Sequence, residues 1–89
     1  MSEEKFVNIN GTDVEIDTEA SESWEMLELV FEIGAKFDYT NMPTAFKLIE
    51  LCTGLDEDAF IKLCGGKRAP YKFVLENVNN VLAELIPKN

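Results

Sequence analysis

From Phe6 to Ile16 apolar and polar positions alternate: Val7 and Ile9 flank Asn8, and Val14 and Ile16 flank Glu15. A period of two is that of a half-buried strand. Between the two runs, Asn10-Gly11 supplies the residues best suited to the positive φ angles of a type I′ turn, so the pattern predicts a β-hairpin over residues 5–17. A two-residue loop also sets the register, with Ile9 opposite Thr12, Val7 opposite Val14 and Lys5 opposite Ile16. Val7, Ile9, Val14 and Ile16 then share one face, and Phe6, Asn8, Asp13 and Glu15 the other. A lone hairpin is marginal in water, so the apolar face must pack on the helical remainder of the chain or its edge must pair with another chain.

Residues 21–86 follow the longer period of helices. The first helix, opened by Asp17, Ser21 or Ser23, is predicted to run to about Phe37. Glu22, Glu25, Glu28 and Glu32 fall in one acidic stripe, while Trp24, Met26, Leu27, Val30, Phe31, Ile33 and Phe37 fill an opposite arc of about half the circumference. A surface helix needs an apolar face of only about 100°, so the surplus predicts either two packed neighbours or an exposed strip for a partner. Gly34 is placed within this arc, as a point where another backbone could approach closely.

Pro43, preceded by Asn41 or Met42, opens a second helix that ends at Thr53 before Gly54. Ala45, Leu48, Ile49 and Cys52 form its inner face, with Phe46 and Leu51 at the margins. Asp56 caps a short third helix through Leu63 or Cys64, with Ala59, Phe60 and Leu63 inward and Gly65-Gly66 as its stop. The last helix starts at Pro70 and is ended by Pro87. Its stripe is Tyr71, Val74, Leu75, Val78, Val81, Leu82, Leu85 and Ile86, and Lys72, Glu76, Asn77, Asn79, Asn80 and Glu84 face away. Phe73 alone is apolar on the polar side, where it either packs on the 65–70 linker or anchors an interface. The fold class is mainly α: one small domain, residues 1–89, with a hairpin followed by a bundle of about four helices.

A chain of 89 residues buries only about 60% of its unfolded surface, so its core must be efficient or shared with a partner. The formal charge of −9 is unevenly placed. Residues 1–35 carry ten carboxylates against Lys5 alone, and residues 36–89 balance seven acids with seven bases. The acidic half excludes nucleic acid and anionic membrane as partners for its surface. There is no histidine, which removes the commonest general base at neutral pH and the commonest metal ligand. No nucleophile motif replaces it, and an enzyme is not expected.

Cys52 and Cys64 without histidine do not make a four-ligand zinc site in one chain unless carboxylates or a second copy complete it, and buried helical thiols are the expectation. Gly65-Gly66-Lys67-Arg68 lacks the spacing of a phosphate loop, and Asp56-Glu57-Asp58 that of an EF-hand; the three acids suit a helix N-terminus. No cofactor or metal is expected. No apolar run is long enough to span a membrane, and an alternating segment stands where a signal peptide would place its apolar region, so the expected location is the cytoplasm.

A short N-terminal hairpin and an acidic helix thus come first in the chain. Pro43 with Phe46-Lys47-Leu48-Ile49-Glu50-Leu51, then Gly54-Leu55-Asp56-Glu57, Leu63 and a closing Val/Leu helix come after them. The chain in this order resembles the small tail assembly chaperones of long-tailed bacteriophages. The resemblance implies a non-catalytic, homo-oligomeric protein of the bacterial host cytoplasm. It implies binding to the tape-measure protein, with the tail-tube protein as a further partner, and absence from the finished virion. It also implies a longer form made by a −1 ribosomal slip at Pro87-Lys88-Asn89. No site residue transfers individually. From the residues themselves, the candidate partner-binding positions are Trp24, Leu27, Val30, Phe31, Phe37 and Phe73. The alternative is an acidic DNA mimic that inhibits a basic nucleic-acid-binding protein.

Overall fold

The hairpin forms in the expected register. In the computed structural model, which describes residues 4–34 and 39–86, β1 (Lys5–Ile9) and β2 (Thr12–Ile16) pair antiparallel, with Ile9 facing Thr12 and Val7 facing Val14. Asn10 at φ 49° and Gly11 at φ 88° make the turn, and the Gly11 N–H donates to Asn8 Oδ1 at 3.0 Å. Val7, Ile9 and Ile16 are buried and Val14 packs against the core, so the chain covers its own apolar hairpin face.

The first long helix opens at Ser23, one of the three expected caps, but a separate turn precedes it and its far end comes early. Asp17 Oδ1 accepts from the Glu19 and Ala20 N–H groups and opens a single turn, α1 (Thr18–Ser21). Ser23 Oγ then accepts from the Met26 N–H at 3.2 Å and opens α2 (Trp24–Ile33). Two strong N-caps in close succession therefore make two helices where one was expected. At its far end α2 stops at Ile33 instead of reaching Phe37. Gly34 has φ 78° and ψ −157°, a combination essentially reserved for glycine. It is a terminator and not a point of close approach, since a Cβ built there meets nothing within 4 Å. The open Ile33 carbonyl accepts from Asn41 Nδ2 at 2.9 Å. Phe37 lies outside the described residues.

After a 3₁₀ turn at Tyr39–Asn41 come α3 (Met42–Thr53), α4 (Glu57–Leu63) and α5 (Tyr71–Leu85), giving five α-helices among the described residues. Asp56 caps α4, its carboxylate accepting from the Ala59 N–H at 2.8 Å. α3 is central, packing against α1, α2, α5 and β2. Its Ala45, Leu48, Ile49 and Cys52 are fully enclosed. Phe46, expected at the margin, is buried as well, because Phe60 of α4 meets its ring edge-on at a centroid distance of 5.7 Å. Two long-range bonds fix the hairpin: Asn10 Nδ2 donates to the Leu63 carbonyl at 2.9 Å, and the Asp17 N–H to the Cys52 carbonyl at 2.7 Å.

α5 corrects two further expectations. Tyr71 sits in the first turn and is exposed, although its position on the wheel belongs to the apolar stripe. Asn77, expected to face away, is buried, with its Nδ2 donating to the Phe73 carbonyl at 2.9 Å. β1 packs on α5 beside α3 and widens the covered arc. The helix is described to Leu85, and Pro87, Lys88 and Asn89 lie outside the described residues. Among the described residues no helix is long and apolar enough to cross a membrane.

Candidate functional site

The apolar arc of α2 resolves into two opposed faces. At about 100° per residue, Met26, Leu29, Val30 and Ile33 cluster on one side, and Trp24, Leu27 and Phe31 on the other. Met26 and Ile33 are buried, and Leu29 and Val30 pack against the core. Trp24 is 68% exposed and Phe31 66%. Seven residues separate these two, so they stand two turns apart in a single ridge. Leu27 is half-buried on one flank of the ridge. Glu28, Glu32 and Glu25 follow one another round the other flank, all exposed.

Of the six residues singled out by sequence, the structure thus brings Trp24, Leu27 and Phe31 together. Val30 belongs to the inward face. Phe73 is on a different helix, in the first turn of α5, and is 37% exposed. Phe37 is outside the described residues. Leu29 is missing from the expected arc because seven apolar residues on one wheel read as one continuous block. Two exposed aromatics also lie outside the sequence-based set. Phe6, 54% exposed, stands on the outer hairpin face. Tyr71 borders a shallow apolar cleft with Met42, Pro43, Phe46 and Val74.

The two cysteines lie in the core. Burial, with a smaller contribution from the Asp17 carboxylate, pushes the Cys52 thiol up to about 11, and burial raises that of Cys64. Both are thiols at neutral pH, the unreactive form. Cys52 Sγ lies 3.5 Å from Met26 Sδ, joining the inner face of α2 to α3. Among the described residues, no three Cys, Asp or Glu side chains converge on a point where a metal ion could sit.

The outer face of α2 thus presents two exposed aromatic rings beside exposed carboxylates. A helical partner laid along the ridge would bury Trp24 and Phe31, each able to remove about 150–250 Å² of surface from water. Comparisons with protein-family models, with curated proteins and with solved structures found no match to the chain.

Proposed function

We propose that this chain is a non-catalytic assembly chaperone of the phage-tail type. In this reading it holds helical segments of a tape-measure protein in solution in the bacterial cytoplasm, self-associates, and leaves before the virion is complete. The tail-tube protein is the further partner. The observation that carries the reading is the Trp24–Phe31 ridge: two large aromatics left in water on a helix whose opposite face is well packed. An isolated exposed apolar residue needs no explanation, but an aligned pair of aromatics has the composition of an interface anchor. Helix-in-groove and helix-on-helix recognition use residues at this spacing.

The acidic DNA-mimic alternative needs phosphate-like carboxylate spacing along an exposed surface, and on α2 the carboxylates share that surface with Trp24 and Phe31. The two readings also separate by salt, because binding through carboxylates alone weakens steeply as salt rises whereas apolar anchoring persists.

Co-expression tests the proposal. The partner is the product of a very long, helix-rich reading frame beside this gene. The expected result is that this chain moves that product into the soluble fraction and co-purifies with it, and that the Trp24→Ala, Phe31→Ala double variant does neither while remaining folded. Absence of such a reading frame, or undiminished rescue by the double variant, would overturn it.

A further inference from the structure

Given that the outer face of α2 is the docking surface, we infer that it selects one class of partner: an amphipathic α-helix whose apolar stripe is bordered on one side by lysine or arginine. The argument rests on the asymmetry of the ridge. Leu27 flanks it on one side and Glu25, Glu28 and Glu32 on the other, at spacings of three and four residues. A helix packed along Trp24 and Phe31 lays one of its own borders against these carboxylates. Cations at the matching spacing complete the contact, and carboxylates there are repelled.

The α2 face of a second copy does not supply those cations. α2 contains no lysine or arginine, and Lys5 is the only base among residues 1–35. Two copies of α2 packed antiparallel about a two-fold axis place both glutamate rows on the same side of the pair, facing each other. Packed in parallel, each row meets Leu27 of the other copy. The apolar anchors supply the affinity for a basic helix, and the glutamates choose it over neutral and acidic helices.

Trp24 is the only tryptophan in the chain, so its emission reports occupation of the face directly. The probes are three synthetic amphipathic peptides without tryptophan, sharing one leucine stripe and bordered by lysine, glutamine or glutamate. The lysine peptide should shift Trp24 emission to the blue with saturation and bind most tightly. The glutamate peptide should leave the emission unchanged. The triple variant Glu25→Gln, Glu28→Gln, Glu32→Gln should bind the lysine peptide about tenfold more weakly, as expected for three exposed ion pairs. Phe31→Ala, which keeps every charge, should lose the blue shift while retaining its far-UV circular dichroism.

Equal binding of all three peptides with the same blue shift would overturn the selection of basic helices and leave the docking face standing. No emission change with any peptide would remove the docking face as well. Undiminished binding of the lysine peptide to Phe31→Ala would reveal general charge attraction and defeat the inference. A blue shift on concentrating the protein alone would give the face to a second copy and also defeat it.

Discussion

A methyl group added at Gly34 tests where α2 ends. If the helix continued toward Phe37, as the hydrophobic pattern suggests, alanine would be the better helix former by about 1 kcal/mol. With φ 78° and ψ −157°, the same substitution forces a side chain into a conformation that costs about 1–3 kcal/mol. Gly34→Ala should therefore lower stability in urea unfolding, and a gain would contradict the observed end of the helix. Cys52 gives a second test. Its folded-state pKa of about 11 lies above the ordinary value of 9.0, so the native state holds its proton more tightly than the unfolded one. That contribution is fully present below pH 9 and is lost as pH rises toward about 11. Stability should thus fall more steeply over that window in the native chain than in Cys52→Ala, by at most about 1.4 kcal/mol per pH unit. Parallel curves would show that the thiol is hydrated in the folded state. Neither residue announces this in the sequence. A glycine inside an apolar run fits the interior or the end of a helix equally well, and a thiol carries no sign of its surroundings.

Among elements, legibility follows how many independent constraints each segment carries. The hairpin has three: alternation, a two-residue Asn-Gly loop and a fixed register. All three agree with β1 and β2. α3 and α4 are bounded by a proline, glycines and Asp56, and their observed limits lie within a residue or so of those expected. α2 has only its apolar arc. Two opposed apolar faces on a ten-residue helix project onto the wheel much as one broad face does, so the arc signals a surplus without saying that it splits. Tyr71 departs for another reason, since periodicity predicts which way a residue points but not whether a neighbour extends far enough to cover it. The core of α5 is sound, and Leu82, 3% exposed, should cost about 2–5 kcal/mol on truncation to alanine. Trp24→Ala and Phe31→Ala should each change stability by less than about 0.5 kcal/mol, as exposed positions do. Thermal or urea unfolding of the three variants separates core from docking face, and a large loss at Phe31 would mean that its ring is packed.

At the scale of the whole molecule the uneven charge sets the terms of every encounter. Residues 1–35 hold the full formal charge of −9, and the exposed glutamates of α2 belong to that half. Two copies approaching through this half repel each other, whereas a basic helix is drawn to it. Added salt screens both, since the Debye length falls from about 10 Å at 0.1 M to about 3 Å at 1 M. Self-association through the acidic half should therefore strengthen as salt rises, while capture of a lysine-bordered helix weakens. Both depend on apolar contact, which simple salt at these concentrations disturbs less than it does exposed charge pairs. Sedimentation velocity of the protein alone, and titration of the lysine peptide, each from about 0.05 to 0.5 M sodium chloride, should accordingly give trends of opposite sign. A strictly monomeric protein throughout would remove self-association from the proposed function and leave client binding intact. Self-association that weakened with salt would place the contact between oppositely charged surfaces of the two copies. The lysines and arginine of residues 36–89 would then be the place to look for it.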